Sequence, residues 1–512
     1  MRSSARFCRR SISISRSRGR CSPRGRVASG PKRDGHERTR VKASTSTASV
    51  HDATQAFVAL FRNARFEQLP PEVVSITKDQ VLDFFAVALG GSAEAGVVEL
   101  RDLVREWGGA PQSTILRYGE RVPAPNAGQV NATMAHALDF DDVHEDAIMH
   151  PGVVTIPTAL AMAEYVGGLS GRDFITAVAV GTDFICRLGL ATRPGESIHK
   201  YGWHLTTLFG YPTAAAVAAR ILGLDETGIT NAIGIAYHQC SGNGQCVRDG
   251  ALTKRMGPGM AVRGGIASAL MAQRGITGAR NVLEGEAGLY RVYHGGSYSR
   301  ERLLADLGTR FESVNVSIKP YPCCRGVHPS IDAALTLVRE YDLHPEAVSR
   351  IVIYCGEATY GLLGVPLEVK ARPRTFVDAQ FSLAWGVATA VARRRVSLED
   401  FTPQAIASPD ILAVAARVDV RNDPALDRGD QGMEPARVEI TLTDGTTVAE
   451  QVDFPTGTPG RPLPFAEIER KFGDCLAHAG RPVADSKAAR LVEEVARLDE
   501  LEDVRTLVEL AT

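Results

Sequence analysis

The chain has 512 residues, 44% of them apolar and 23% charged, with a formal net charge of −1. That length admits two or more domains, and the composition is that of an ordinary soluble globular protein. Near-neutrality offers no global attraction for nucleic acid or an anionic membrane, and no run approaches the roughly 18 uninterrupted apolar residues of a membrane span. Nine cysteines without a CxxC pair argue against a disulfide framework or a zinc ribbon. Cys240 and Cys246 flank SGNGQ, and Cys323 and Cys324 are adjacent. Neither spacing suits a structural zinc site, so these read as free thiols in a reducing compartment.

The first 40 residues hold 12 arginines, many serines and only Asp34 and Glu37 as acids. Such a stretch forms no core, so residues 1–50 are expected to be a disordered extension without a role in function. Its composition is that of a mitochondrial transit peptide, or of translated sequence upstream of a start at Val41 or Val50. The two alternatives predict a mitochondrial and a cytoplasmic protein respectively.

Helical periodicity runs from about 53 to 310. ITKDQVLDFFAVAL (76–89) repeats apolar residues at i, i+3 and i+4. VVTIPTALAMAEYVG, DFITAVAVGTDFICRLG, PTAAAVAARILG and MAVRGGIASALMAQRG predict Ala- and Gly-rich helices. Small side chains let helix axes approach closely, which places these helices inside a bundle. Recurrent LG and RG endings supply C-caps. The texture changes from about 313 to 457. RIVIYCG alternates as a strand does, and RVEITLTDGTTVAEQVDF predicts a hairpin turning at Asp444-Gly445. Helices are expected at about 329–341, 376–394 and 463–479. The fold class is therefore mainly α: a large helical domain at 51–312, a smaller α+β domain at 313–457, and a return to helix over 458–512.

Three segments concentrate chemistry. NVSIKPYPCCRGVHPSID (315–332) is a Pro-punctuated loop holding Lys319, Tyr321, Cys324, Arg325 and His328. An ordered loop with cationic and titratable groups suits an anionic substrate, or is simply the turn before the next helix. HALDFDDVHEDAIMHPG (136–152) crowds Asp139, Asp141, Asp142, His144, Glu145, Asp146 and His150 into twelve residues. Carboxylates and imidazoles together bind divalent ions, yet the spacing matches neither an EF-hand nor HExxH. The alternative is a solvated turn in which Asp146 or Glu145 caps the helix starting near Val153. The third segment runs from YGWHLTTLFGYPTAAAVAAR (201–220) to TKRMGPGMAVRGGIASALMAQRG (253–275) and contributes His204 and Lys254. Alone, His204 beside Trp203 reads as a packed core residue and Lys254 as a surface lysine.

In order and spacing, these segments resemble the MmgE/PrpD family, which includes 2-methylcitrate dehydratase and cis-aconitate decarboxylase. The likeness covers roughly residues 51–475. It implies a helical domain covered by an α+β lid, a homodimer, and a metal-free, cofactor-free active site for a small polycarboxylate. No partner nucleic acid or membrane is expected. Matched residue by residue, it implies catalytic roles for Asp139, His150, His204, Lys254 and Lys319. Tyr321, Cys324, Arg325 and His328 are then expected to bind substrate.

The implied chemistry explains the residue set. Removing a proton α to a carboxylate builds negative charge on that carboxylate, which fixed cations stabilise. Lys254, Lys319 and Arg325 suit this task, and His150 and His204 suit general acid and base. No GxGxxG after a strand, P-loop or GxSxG elbow is present. Two positions depart from the decarboxylase pattern. Cys324 stands where the decarboxylase has a catalytic histidine, and Leu383 stands where it has an active-site tyrosine. The expected activity is therefore a hydro-lyase of a hydroxy di- or tricarboxylate. An epimerase or decarboxylase of a related acid, or a non-catalytic carboxylate-binding protein, are the alternatives.

Overall fold

The structure, a computed structural model, describes residues 52–192, 202–428, 433–479 and 483–512. The extension expected at 1–50 lies outside them.

Helices dominate, and two hydrophobic cores divide the chain. The first core is built from residues 53–318, joined by Leu398, Ile468, Phe472, Cys475 and the C-terminal segment to Ala511. The second lies between Cys323 and Val452. At the centre of the first, the Thr253–Gln273 helix packs on Leu205–Ile221, Ala124–His136 and Glu226–Tyr237. Small residues permit this. A Cβ on Gly257 would lie 2.2 Å from the Thr207 hydroxyl, so only glycine lets the helix carrying Lys254 reach the turn carrying His204. The C-capping glycines appear at Gly223 and Gly275, both with positive φ. The LG pairs ending at Gly90 and Gly189 instead lie within helices.

The second core holds a four-stranded sheet. Val348–Cys355 pairs in parallel with Val418–Asn422 and antiparallel with Ala436–Leu442, which pairs with Thr447–Val452. The hairpin turns at Asp444-Gly445 as its sequence predicts, with Gly445 at φ 90°. The His328–Glu340 helix covers the last two strands. The helix expected over 376–394 is two helices, Phe376–Gln380 and Leu383–Arg393, because the Ser382 hydroxyl accepts the Trp385 N–H and starts a new N-terminus. A short hairpin, Ser113–Ile115 with Glu120–Val122, interrupts the helical part where only helices were expected.

No single helix among the described residues is long and apolar enough to cross a membrane. One helix pair bent by 85°, Pro71–Ala93 with Val97–Trp107, matches a span in length and composition, but its first helix is a core helix here.

Candidate active site

The site begins with the turn that ends the Ala124–His136 helix. Asp139 sits at φ 52°, a left-handed conformation that aspartate tolerates better than most residues. Two positions on, Asp141 is buried, and the chain then doubles back through mutual backbone hydrogen bonds between His144 and Met149. The same segment pairs with the Val316–Ser317 strand, Val143 opposite Ser317 and His144 opposite Val316. That register brings Lys319, two residues beyond the strand, onto the Asp139 turn. Gly457 completes the joint. Its carbonyl accepts the Ile318 N–H, and a Cβ there would lie 2.0 Å from the Ile318 carbonyl oxygen.

Two ammonium groups converge on Asp139. Lys254 Nζ donates to Oδ1 at 2.5 Å, and Lys319 Nζ donates to the main-chain oxygen at 2.8 Å and approaches Oδ1 at 3.5 Å. Burial pushes the Asp139 carboxyl upward, but the two cations outweigh it and hold the group well below the usual carboxylate range. Conversely, burial lowers Lys319 while Asp139 and Asp141 raise it, with a net upward shift. Asp139 Oδ2 is buried and has no hydrogen-bond partner. The Phe381 ring lies 5.8 Å from Lys254 Nζ on the lid side.

Beside this cluster stand three imidazoles. His150 Nδ1 lies 2.8 Å from the Asp142 carbonyl and 3.0 Å from Asp141 Oδ2. His204 is the N-cap of the Leu205–Ile221 helix, with Nδ1 2.7 Å from the Thr207 hydroxyl. Burial first, and then the neighbouring His136 ring and Lys254 ammonium, push His204 well below the ordinary imidazole range. The third imidazole, His136, was not singled out from sequence. Its ring centroid is 4.9 Å from that of His150 and 6.0 Å from that of His204. Its place in HALDFDD, three residues before Asp139, was the available signal.

Beneath the turn lies a second buried charge cluster that the sequence did not reveal. Lys471 Nζ donates to Asp83 Oδ1, to the Phe140 carbonyl and, at 3.0 Å, to the Lys319 carbonyl. An ammonium has three N–H donors, and all three are used. Lys471 thus ties both the Asp139 turn and the Lys319 segment to the Pro71–Gly90 helix. Capping of the Gly152–Val166 helix also differs from expectation. Asp142, rather than Asp146 or Glu145, accepts the Gly152 N–H, at 3.0 Å to Oδ1. Burial, then the nearby Asp83, raise Asp142 to about 8. Glu145 instead accepts from Ser317 Oγ and Arg325 Nε.

The lid residues expected to bind substrate are largely engaged with one another. Arg325 donates to Glu145, to the Thr456 carbonyl and to His328 Nδ1, leaving buried Nη2 without a partner. His328 is fully buried; burial and Arg325 keep it neutral, with its pKa well below normal. The Tyr321 hydroxyl donates to Asp332 at 2.6 Å. Cys324 is half-buried beside the cluster, and its N–H donates to the Gln380 carbonyl. Burial, then Asp139, push its thiol up. Gln380 Nε2 reaches back to the Leu138 and Pro322 carbonyls, latching the lid onto the Asp139 turn. Leu383 is fully buried in the lid core. All seven cysteines among the described residues are free.

His136, Asp141 and His150 place three ligand-type atoms close together. Their 2.8 and 3.0 Å separations are hydrogen-bond distances, shorter than the roughly 3.3 Å between ligands about 2.0–2.1 Å from one tetrahedral ion. The arrangement binds protons, and two lysines beside it oppose a cation.

A helical bundle presenting histidines and lysines beneath an α+β lid defines a class, and sequence comparison gives its name. The MmgE/PrpD N-terminal domain matches residues 55–301 and the MmgE/PrpD C-terminal domain matches residues 321–499. The chain belongs to the MmgE/PrpD family. Among its relatives is a cis-aconitate decarboxylase of Aspergillus terreus (strain NIH 2624 / FGSC A1156), 26% identical over 88% of this chain and 93% of the relative. The cis-aconitate decarboxylases of Homo sapiens and Mus musculus are 26% and 25% identical, over 89% and 90% of this chain and 94% and 93% of theirs.

Proposed function

We propose that the protein is a lyase acting on a di- or tricarboxylate, without a cofactor, through abstraction of a proton α to a carboxylate. The observation that carries this reading is the convergence of Lys254 and Lys319 on one carboxylate oxygen, beside His150 and His204. A substrate carboxylate competing for those two ammonium groups meets fixed positive charge where the enolate-like transition state gathers negative charge. His150 serves as the base. The Asp142 carbonyl can only accept, so His150 Nδ1 carries a proton and Nε2 is the ring atom left to take one from carbon. His204 is neutral at rest and donates only after taking up a proton, so it relays the proton that His150 removes, or one from water, to the leaving group or product carbon.

Within this class the favoured reaction is loss of water from a hydroxy polycarboxylate, as in 2-methylcitrate dehydratase. Elimination needs one proton taken from carbon and one given to the departing hydroxyl, which two histidines can supply. The named relatives favour a second reading, decarboxylation of cis-aconitate. Against it stand Cys324, a raised thiol in place of an imidazole, and Leu383, packed in the lid core. A homodimer is part of the proposal, by family resemblance.

The test is to incubate the purified protein with 2-methylcitrate, citrate and cis-aconitate in D2O and follow products by NMR. Loss of hydroxyl with formation of an olefin is expected, unchanged by EDTA. Release of CO2 from cis-aconitate establishes the decarboxylase reading instead. Deuterium exchange without elimination points to an epimerase. Binding of these acids with no turnover of any overturns the lyase.

A further inference from the structure

His136 is the last residue of the Ala124–His136 helix and is wholly buried. Its Nδ1 lies 2.8 Å from Asp141 Oδ2, the oxygen that His150 Nδ1 approaches at 3.0 Å. Two imidazoles therefore share one carboxylate oxygen. The other oxygen, Asp141 Oδ1, is buried without a partner, as is His136 Nε2. Buried polar atoms left unmatched at the heart of a site require an explanation.

Proton positions follow from the partners. His150 Nδ1 faces a carbonyl as well as the carboxylate, so it is an N–H donor. Asp141 is ionised: burial opposes this, but the two imidazoles hold its pKa well below normal. An ionised carboxylate only accepts, so His136 Nδ1 also donates. Burial lowers His136 to about 4 against the opposing pull of Asp141, so its ring is neutral, with the lone pair on Nε2. The charged and titratable groups around His136 are Asp141, His150, Lys254 and His204; around His150 they are Asp141, His136, Asp139 and His204.

A single aspartate beside a histidine stabilises the imidazolium strongly and makes the ring a better base but a poorer proton donor. A second N–H on the same oxygen takes up part of that charge. We propose that His136 is a positioning residue for His150: by sharing Asp141 Oδ2 it fixes the orientation of that carboxylate and limits how strongly Asp141 holds a proton on His150. Proton removal and proton return then both stay accessible near neutral pH. Only the relevance to turnover rests on the proposed function. The effect on His150 does not.

The test uses the full chain labelled with 15N in the imidazole rings and needs no substrate. In the wild-type protein, long-range proton–nitrogen spectra are expected to show His136 and His150 both protonated on Nδ1 and bare on Nε2 at neutral pH. In His136→Phe the titration midpoint of His150 is expected to rise by at least about one pH unit, because the whole Asp141 charge then falls on one ring. His136→Asn places an amide N–H where Nδ1 was and is expected to restore the wild-type midpoint. Equal midpoints in all three proteins overturn the proposal and leave His136 as filler. If the Phe variant fails to fold, wild-type spectra showing His136 with its proton on Nε2 overturn it independently. So does stoichiometric zinc that strips both Nδ1 protons, since Nδ1 would then be a metal ligand.

Discussion

The helical half of the site and the lid half carry similar residue types but use them differently. In the helical half, Asp139, Asp141, His136, His150, His204 and Lys254 face one another and leave Asp139 Oδ2, Asp141 Oδ1 and His136 Nε2 unmatched. In the lid half, Arg325, His328 and Tyr321 are largely spent on Glu145, Cys323, Asp332 and Thr456. Lys319 crosses over to reach Asp139 from the lid side, beside the Gln380 bond to the Leu138 carbonyl and the Arg325 bond to Glu145. Each buried polar atom left unmatched requires an explanation, and in the lid Arg325 Nη2 is among them.

The sharpest break of this contrast is removal of the imidazoles. His150→Ala and His204→Ala are each expected to lower kcat by roughly 10²–10⁴-fold, the typical worth of one general acid or base. Thermal unfolding is expected to change little for His150, which keeps part of its ring in solvent. Unchanged turnover in either variant removes that histidine from the mechanism.

A comparison of cations sharpens the contrast. Lys319→Met removes an ammonium proposed to meet substrate in ground and transition states, so KM is expected to rise and kcat to fall. Arg325→Gln is expected to act mainly on stability, because its guanidinium bonds hold Glu145, His328 and Thr456 within the protein. Breaking a buried ion pair on one side typically costs roughly 3–5 kcal/mol. Steady-state kinetics beside chemical denaturation separates the two outcomes. A rise in KM for Arg325→Gln as large as that for Lys319→Met would place Arg325, through its unmatched Nη2, on the substrate.

The parts of this arrangement that could be read in sequence are local. Helical period, the Asp444-Gly445 hairpin and the change of texture near 313 follow from neighbouring residues, and the structure shows them. His150, His204, Lys254 and Lys319 came from spacing against a family, and the structure gathers them around Asp139. What could not be read depends on long-range contact. Lys471 sits on an amphipathic helix, where a lysine ordinarily faces water. Its burial exists only because Asp83, 388 positions away, and two carbonyls from distant turns surround it. Gln380 carries no local signal of its role, yet it bonds Leu138 across 242 positions. Asp142 takes the capping role expected of Asp146 or Glu145, because only the folded path of the loop decides which carboxylate meets Gly152.

Asp142 yields the prediction with the least effect on turnover. Its carboxyl is expected to be neutral in the fold below about pH 8, whereas in the unfolded chain it ionises near the ordinary aspartate value of 3.8. A folded pKa above the unfolded one means that the unfolded state loses its proton first. Stability is therefore fullest below about pH 4 and falls as pH rises towards 8, by no more than about 1.4 kcal/mol per pH unit. Asp142→Asn removes that slope. Its carbonyl can still accept the Gly152 N–H, and once the Gln80 amide turns over, its own amide can donate to Gln80 Oε1, which has no partner in the parent. Urea unfolding of both proteins between pH 5 and 8 is expected to show the variant gaining on the parent as pH rises, with kcat nearly unchanged. Parallel stability curves would mean that Asp142 is ionised in the fold, stabilised by its bonds from Gln80 and Gly152, and that the turn beneath His150 carries one more negative charge than a neutral Asp142 gives it.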